Sequence, residues 1–482
     1  MPDPIKFILN DEVREVADLP PTMTVLQYLR TQERLTGTKE GCAEGDCGAC
    51  TVIMGTVIGG KVEYKTINAC IVFLPVLDGR HVITVENLKA ADGALHPVQK
   101  AMVECHGSQC GFCTPGFVMS LAALHHNKKG ASDEEIQDAI AGNLCRCTGY
   151  RPILDAARKA DKVKKRAVLS SDIKMIEGMQ RKKMFSYEGG GGKYFAPVTA
   201  KELADALPAH PGATILAGGT DVGLWVTKQH KDLPVIIYTG NVRELQEIKS
   251  TAAGLEIGAA VTYTDAFKAL AAYDESLEEM LRRLGSVHIR NLGTVGGNIA
   301  NGSPIGDGMP PLIALSAKVV LRGKSGARTV NLEDYFIDYG KQDRKPGEFV
   351  EKVIVPAKAK NVLFRVYKIS KRFDQDISAV CGAFALTVDG KRIIGARIAY
   401  GGMAGTPKRA AAMEKALTGK VWDEDAAKAG MSALDQDFKP MSDMRASKEY
   451  RREAARNLIY RFWLETTQPD IETRVYDYQG SN

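Results

Sequence analysis

The stretch KEGCAEGDCGACTV, residues 39–52, places three cysteines in one short glycine-rich loop. Cys42, Cys47 and Cys50 have the spacing C-x4-C-x2-C, and Cys70 follows after nineteen further residues. This is the plant-type ferredoxin spacing, in which four thiolates hold a [2Fe-2S] cluster. Glycines at 41, 45 and 48 permit the positive φ values that turn amide N–H groups toward sulfur. A four-cysteine zinc site is the alternative, although zinc sites more usually show paired C-x2-C knuckles.

A second set of four cysteines follows farther along the chain. Cys110 and Cys113 lie in SQCGFCTPG, and Cys145 and Cys147 lie in NLCRCTGYRP. Taken alone, this set suits zinc as well as an iron-sulfur centre. Beside a plant-type cluster loop it indicates a second relay centre. Cys105 has no ligand role in this pattern and is typical of a small buried apolar side chain.

Composition narrows the class of protein further. Nine of the ten cysteines lie between residues 42 and 147, which favours metal binding in a reducing compartment over a disulfide framework. The net charge of +6 arises from 64 basic and 58 acidic residues spread along the chain, so nucleic acid is not an expected partner. No signal peptide or apolar run of the ~18 residues that a spanning helix requires is found. We therefore expect a cytoplasmic protein that is not embedded in a membrane.

The 482 residues are too many for a single core, and the patterns divide them into an α+β multidomain chain. A hairpin around Asn10, one capped helix and several Val/Ile/Thr-rich strands predict a small α+β domain with a mixed sheet. Helical spacing follows from His96, and Ser132 with the acidic residues after it marks one helix start. An Asp-Gly pair at residues 389–390 predicts a hairpin turn later in the chain. The expected domains are an α+β domain over 1–86 with the first cysteine set, a helical domain over 87–165 with the second, a linker over 166–193, an α+β or α/β domain over 194–360 and a C-terminal α+β domain over 361–470.

Two glycine-rich segments could present backbone amides to a pyrophosphate group. In TILAGGTD, residues 214–221, a strand runs into two glycines, and GTVGGNIANGSPIGD, residues 293–307, leads into a helix-like run. Neither matches the dinucleotide fingerprint G-x-G-x-x-G, and that string occurs nowhere in the chain. From the residues alone, ordinary turns explain these segments as well as a cofactor does.

The order of plant-type loop, QCGFCTPG and LCRCTGYRPI resembles the iron-sulfur portion of the xanthine oxidase family of molybdenum hydroxylases. The resemblance implies a β-grasp ferredoxin domain for the first cluster and a four-helix bundle for the second. It places the second cluster nearer the molybdenum cofactor, and it places Gln109 where the family touches the pterin. A polar turn residue is the alternative for Gln109.

AGGTD and the 293–307 string resemble the family's FAD domain, which is related to the vanillyl-alcohol oxidase fold. The resemblance implies a set of flavin contacts, namely Ile215, Leu216, Ala217, Gly218, Gly219, Thr220, Asp221, Val222, Leu284, Thr294, Val295, Gly296, Gly297, Asn298, Asp307, Val350 and Lys368. Leu284 falls where some members stack an aromatic ring on the flavin. A solvated surface lysine is the alternative for Lys368.

The resemblance implies an electron-transfer subunit with two [2Fe-2S] clusters and FAD, and no side chain of this chain is expected to act as a catalytic acid or base. Because the sequence given ends before a molybdopterin-binding region, we expect that cofactor on a large partner subunit within a hetero-oligomer. Electrons from xanthine would pass through both clusters to FAD and then NAD. The resemblance places the segment KISKRFDQDISAV, residues 368–380, near the flavin, where it would influence access for the nicotinamide; an ordinary solvated loop is the alternative. A small subunit of an aldehyde or N-heterocycle hydroxylase is the first alternative, and a zinc-stapled scaffold without redox activity is the second.

Overall fold

The computed structural model describes residues 3–90, 92–163 and 173–474. These residues form two compact units. The first unit runs through Glu244 and also takes in Thr262–Thr264 and Gly285–Thr294. The second unit holds the rest of the chain from Leu245 onward. Residues 194–360, expected as one flavin domain, therefore contribute to both units.

The described residues contain both helices and strands. The helices are α1 (Val25–Thr31), α2 (Pro97–Glu104), α3 (Thr114–Asn127), α4 (Asp133–Ile140), α5 (Arg151–Asp161), α6 (Ile173–Met179), α7 (Ala200–Ala209), α8 (Val222–Thr227), α9 (Tyr263–Tyr273), α10 (Glu275–Arg282), α11 (Val287–Arg290), α12 (Val295–Asn301), α13 (Met309–Ala314), α14 (Leu332–Tyr335), α15 (Ala411–Leu417), α16 (Glu424–Asp437) and α17 (Lys448–Thr467). The strands are β1 (Ile5–Leu9), β2 (Glu12–Val16), β3 (Thr51–Ile58), β4 (Lys61–Asn68), β5 (His81–Ile83), β6 (Phe185–Gly189), β7 (Gly192–Ala196), β8 (Thr214–Leu216), β9 (Val235–Tyr238), β10 (Ile248–Thr251), β11 (Gly254–Gly258), β12 (Lys318–Gly323), β13 (Gly326–Asn331), β14 (Phe336–Asp338), β15 (Lys341–Gln342), β16 (Phe349–Pro356), β17 (Val362–Ile369), β18 (Val380–Asp389), β19 (Arg392–Gly401) and β20 (Lys408–Arg409).

The first cysteine loop is carried by a five-stranded mixed sheet in the order β2-β1-β5-β3-β4. β1 pairs antiparallel with β2 through a turn at Asn10 and parallel with β5. α1 begins after Thr24, whose side chain accepts from the amide of Gln27 while the Gln27 side chain accepts from the amide of Thr24. The predicted hairpin, capped helix and mixed sheet are thus confirmed.

The second cysteine set is carried by helices α2 to α5. Ser132 caps α4 in a reciprocal pair of hydrogen bonds with Glu135, as the sequence predicts. Pro152 lies in the first turn of α5, where a missing amide hydrogen costs nothing. The apolar faces of these helices share one core with Ile53 and Ile83 of the first sheet.

The expected linker over 166–193 differs from the structure where it can be described. Residues 166–172 lie outside the described residues, but the rest contains α6 and the β6–β7 hairpin. The run of four glycines forms the turn of this hairpin, with positive φ at Gly190 and Gly191. Composition suggested a flexible segment because glycine is common to linkers and tight turns, whereas the alternating burial of Phe185 and Tyr187 marks a strand.

A second sheet in the first unit has the order β6-β7-β9-β8. β9 runs parallel to both β7 and β8, and α7 lies between β7 and β8 along the chain. β8 ends directly before the glycines of the first glycine-rich segment. This sheet therefore holds that segment at the carboxyl end of a strand.

The second unit contains two larger antiparallel sheets. One has the order β10-β11-β16-β12-β13, and the other has the order β17-β18-β19-β20. The predicted Asp-Gly hairpin is confirmed, since β18 and β19 pair around Gly390. Phe384 of this sheet stacks on Phe462 of α17 in a buried core. The α+β multidomain class is confirmed.

Among the described residues, no helix combines the length and the apolar character needed to cross a bilayer.

Candidate functional site

The first four cysteines come together where β3 begins and β4 ends. Pairing of Thr51 with Asn68 brings the preceding Cys50 and the following Cys70 together, with their sulfur atoms 3.3 Å apart. Both of these cysteines are buried. The thiol of Cys42 lies in hydrogen-bonding contact with the thiols of Cys47 and Cys70. A single centre can therefore reach all four sulfur atoms.

Backbone amides of the loop point at one of these sulfur atoms. The amides of Glu44, Asp46 and Cys47 donate to Sγ of Cys42 at 3.4, 3.4 and 3.3 Å. The chain reaches this geometry through positive φ values, which include φ 77° at Gly45. Amide donors to sulfur are what a bound iron-sulfur cluster uses to stabilise its negative charge. The residues present thus fit a [2Fe-2S] cluster.

Neighbouring thiols favour the ionised form of Cys42. Hydrogen bonds from the thiols of Cys47 and Cys70 hold the pKa of Cys42 well below its usual range. Thiolate is the form of cysteine that binds metal. These contacts therefore favour the metal-binding form of Cys42.

The second four cysteines form two contacting pairs. Cys113 meets Cys145, and Cys110 meets Cys147. Burial and the neighbouring Cys145 raise the pKa of Cys113 to about 12. Burial opposes ionisation of Cys145, but hydrogen bonds from Thr148, one of them 3.3 Å from its hydroxyl to Sγ, lower its pKa. Electrostatic interactions also join Cys113 to Cys110 and Cys147 to Cys145, so the four thiols suit one centre.

The exposure of this second set differs from that of the first. Cys110 and Cys147 are exposed, and so is Gln109, whose assignment to a pterin contact stays a prediction. Cys105 is half-buried at the end of α2 and packs against the helical core. That position is consistent with a packing role for Cys105.

The two ligand loops are joined by a backbone hydrogen bond. The amide of Leu144 donates to the carbonyl oxygen of Cys47 at 2.9 Å. Leu144 directly precedes Cys145, so a residue of the first set and a neighbour of the second set touch through one bond. Sequence spacing could not reveal this contact, because the residues are far apart in the chain.

The first glycine-rich segment, Ile215 to Val222, runs from the end of β8 through a short loop to the start of α8. A Cβ atom at Gly218 would lie 1.9 Å from the carbonyl oxygen of Leu292, so only glycine fits. A Cβ atom at Gly293 would lie 3.4 Å from the hydroxyl oxygen of Thr220. The loop therefore packs closely on residues 292–293, directly before Thr294.

The second glycine-rich segment continues into α12. Val295, Gly296, Gly297 and Asn298 lie in this helix. A Cβ atom at Gly296 would be 2.3 Å from Cβ of Ala259. Glycine here permits close packing of the helix on a neighbouring segment.

Asp307 and Lys368 form a buried ion pair in the second unit. Nζ of Lys368 lies 2.5 Å from Asp307, and both side chains are less than a tenth exposed. The Ser378 hydroxyl donates to the same carboxylate at 2.6 Å, and Lys368 also donates to the carbonyl oxygen of Asp376 at 2.8 Å. The surface-lysine alternative for Lys368 is therefore wrong. Ser378 carried no sequence signal, because a single serine in a mixed-charge loop looks like any turn residue.

The remaining predicted contacts lie on other parts of the second unit. Leu284 is half-buried just after α10. Val350 is buried in β16, where it pairs with Leu321 of β12. Their roles as flavin contacts stay predictions.

Four known families match consecutive parts of the chain. They are described as a 2Fe-2S iron-sulfur cluster binding domain over residues 7–74, a [2Fe-2S] binding domain over 84–158, an FAD binding domain in molybdopterin dehydrogenase over 184–358 and a CO dehydrogenase flavoprotein C-terminal domain over 365–466. Both cysteine sets fall within iron-sulfur families. The zinc-scaffold alternative is therefore not supported, and the cofactors of this chain are two [2Fe-2S] clusters and FAD.

Known proteins similar to this chain include xanthine dehydrogenases. The enzyme of Emericella nidulans is 31% identical over 99% of this chain, and xanthine dehydrogenase/oxidase of Gallus gallus is 30% identical over 97%. The chain spans 40% of the length of each of these two relatives. Among solved structures, carbon monoxide dehydrogenase from Hydrogenophaga pseudoflava is 27% identical, with a TM-score of 0.53 over 56% of this chain and 94% of the other. Quinoline 2-oxidoreductase from Pseudomonas putida 86 is 26% identical, with a TM-score of 0.53 over 57% and 97%.

The family matches assign the two cysteine sets to iron-sulfur domains and the glycine-dependent loop to an FAD domain. The chain is an oxidoreductase component that belongs to the xanthine oxidase family of molybdenum hydroxylases, of which it forms the iron-sulfur and FAD part.

Proposed function

We propose that this chain is the electron-transfer subunit of a xanthine dehydrogenase, which takes electrons from a molybdenum site on a large partner subunit and delivers them to NAD. The observation that carries the proposal is the backbone hydrogen bond from Leu144 to Cys47, which joins the two ligand loops. When bound, the clusters move single electrons and FAD exchanges two, so this combination joins a one-electron relay to a hydride acceptor.

The proposed ligands follow the two converging sets. Cys110, Cys113, Cys145 and Cys147 hold the cluster nearer the partner, in keeping with the exposed positions of Cys110 and Cys147. Cys42, Cys47, Cys50 and Cys70 hold the cluster nearer the flavin. The glycine segments around Gly218 and Gly296 and the Asp307–Lys368 pair bind FAD.

The segment 370–379 supports NAD as the acceptor. Arg372 donates to Asp376 through its backbone amide at 2.7 Å and through Nε at 2.6 Å, which closes the segment on itself. Lys368 links the carbonyl oxygen of Asp376 to buried Asp307. The segment that the family resemblance places near the flavin is thus anchored to the proposed flavin site, where it can govern access for a nicotinamide.

Xanthine is the substrate that the names of the curated relatives favour. An N-heterocycle hydroxylase is the second candidate, because a solved structure similar to this chain is that of quinoline 2-oxidoreductase. The partner subunit would hold the substrate pocket, so these candidates share the same electron path in this chain.

Assembly with the molybdenum-binding partner tests the proposal. The purified complex should reduce NAD with xanthine and produce little peroxide in air, while this chain alone should pass electrons from NADH to a dye and leave xanthine untouched. Turnover of quinoline but not xanthine would favour the second candidate. Electrons recovered mainly as peroxide at saturating NAD would contradict the acceptor.

A further inference from the structure

A buried histidine lies where the two cysteine-bearing modules meet in the first unit. His288, in α11, is fully buried. Its Nε2 atom is 3.1 Å from the hydroxyl of Thr51 and 3.1 Å from the hydroxyl of Ser120. Thr51 follows Cys50 directly, and Ser120 lies in α3, which begins after Cys113. One imidazole nitrogen therefore contacts both modules.

Both hydroxyls already donate their hydrogens to other acceptors. The Thr51 hydroxyl donates to the carbonyl oxygen of Gly48 at 2.6 Å, and the Ser120 hydroxyl donates to Oδ1 of Asn143 at 2.6 Å. The amide group of Asn143 has this orientation because its Nδ2 donates to the carbonyl oxygen of Gly48 at 3.0 Å. A hydroxyl has one hydrogen, so both hydroxyls can only accept from His288.

The tautomer of His288 follows from this count. Nε2 carries the hydrogen and shares it between the two hydroxyl oxygens, which leaves Nδ1 as a bare acceptor. Nδ1 is buried and has no hydrogen-bond partner among the residues that the structure describes. A Cβ atom at Gly142 would lie 2.0 Å from Nδ1, so the backbone before the second ligand loop packs against this edge. Burial, with Arg290 second, lowers the pKa of His288 to about 3, which keeps the ring neutral.

The groups that receive these bonds orient both ligand loops. Gly48 lies between Cys47 and Cys50, and its carbonyl oxygen accepts from Thr51 and Asn143. Asn143 stands two residues before Cys145. His288 therefore supports the hydroxyls that fix the Gly48 carbonyl and the Asn143 amide. It belongs itself to the stretch matched by the FAD-domain family, so one ring ties three modules together.

We propose that His288 is a positioning residue that sets the separation and orientation of the two clusters relative to each other. The inference rests on the proposed ligand sets and goes beyond them, since His288 binds neither cluster. Its function requires the Nε2 donor and not merely a buried side chain of similar size. Loss of the donor removes the hydrogen bonds from Nε2 to both hydroxyls. The Thr51 hydroxyl keeps a donor in Nδ2 of Asn143 at 3.1 Å, so the loss falls mainly on Ser120 of the second module, and the ligand loops are freed to separate.

Magnetic interaction between the reduced clusters reports on this separation. The full chain, or its complex with the partner, is reduced with dithionite, and the splitting of its electron paramagnetic resonance lines is measured for wild type, His288→Leu and His288→Gln. We expect full iron content in all three, narrowed splitting in His288→Leu, and recovery toward wild type in His288→Gln, which restores an N–H donor. A purely structural role would lower the melting temperature and leave the splitting unchanged.

His81 offers a matched control, since it is also a buried histidine and its Nε2 donates outside this network, to the carbonyl oxygen of Asn10. His81→Gln should leave the splitting unchanged. If His288→Leu does not accumulate as folded protein, Ser120→Ala removes one acceptor and retains the ring, and it should narrow the splitting less strongly. Wild-type splitting in His288→Leu or, failing that variant, in Ser120→Ala overturns the proposal. Absence of both cluster signals from the wild-type protein would instead contradict the proposed function.

Discussion

At the scale of single residues, the buried ion pair of Lys368 and Asp307 gives the clearest prediction for the free energy of unfolding. Lys368→Met leaves the Asp307 carboxylate buried without its counter-charge, and the cost of such a change is about 3–5 kcal/mol. We expect urea unfolding of the FAD-loaded chain to show a loss of this size, accompanied by loss of FAD. The double variant Lys368→Met/Asp307→Asn should recover part of the stability, because it removes the uncompensated charge.

The pair of Lys352 and Glu256 provides a control for this measurement. Its atoms are 2.7 Å apart, but both side chains are about a third exposed. Water screens such a pair, so Lys352→Met should cost at most about 1 kcal/mol. Equal losses in Lys368→Met and Lys352→Met would contradict the buried character of the Lys368 pair.

His288 predicts a dependence of stability on pH. Its pKa falls from 6.5 in the unfolded chain to about 3 in the folded chain. Between these values the unfolded chain binds a proton that the folded chain does not, so stability is fully present above pH 6.5 and is lost as the pH falls. The slope below pH 6.5 is at most ~1.4 kcal/mol per pH unit. Urea unfolding between about pH 7.5 and 5.5 should show this slope in wild type and a shallower one in His288→Gln. Identical slopes would mean that His288 titrates normally in the folded chain.

The grouping of the cysteines into two sets of four could be predicted from the sequence, because their spacing along the chain indicates which of them bind together. Residue types could not predict the burial of Lys368, since a lysine in a mixed-charge segment is usually solvated. Its burial depends on Asp307, which lies 61 positions away. His288 and Asn143 were missed for the same reason, because their partners come from other modules.

At the scale of elements, the loop between β8 and α8 depends on a glycine. A Cβ atom at Gly218 would lie 1.9 Å from the carbonyl oxygen of Leu292, so Gly218→Ala must displace the loop. We expect FAD binding at least about tenfold weaker, or ~1.4 kcal/mol, as measured by fluorescence titration of the apoprotein. Gly178→Ala in α6 meets nothing within 4 Å and should leave FAD affinity unchanged. Equal affinity in both variants would exclude this loop from the flavin site.

The elements were predicted best where local chemistry decides them. Ser132 with Glu135 and the Asp-Gly turn at Gly390 are recognisable within a few residues. The β6–β7 hairpin was misjudged as linker because four consecutive glycines mask the alternation on either side. The division of residues 194–360 between two units depends on long-range packing, which no local pattern reveals.

At the scale of the whole molecule, the two clusters should be independent in binding although their loops touch. Cys42→Ser removes one ligand of the first set, while each ligand of the second set remains. We therefore expect loss of about two iron atoms per chain, with the second cluster signal and the flavin retained. Iron analysis with paramagnetic resonance checks this. Cys105→Ser, outside both sets, should keep the full iron content, and loss of both cluster signals in folded Cys42→Ser would contradict separate centres.

The central claim is that one chain holds two distinct [2Fe-2S] clusters and FAD as a continuous relay. A redox titration of the purified chain, followed together by visible absorption and paramagnetic resonance, tests it most directly. The account predicts two separable cluster signals and one flavin transition, with about four iron atoms per chain. A single cluster signal, or a colourless protein that contains zinc, would contradict it.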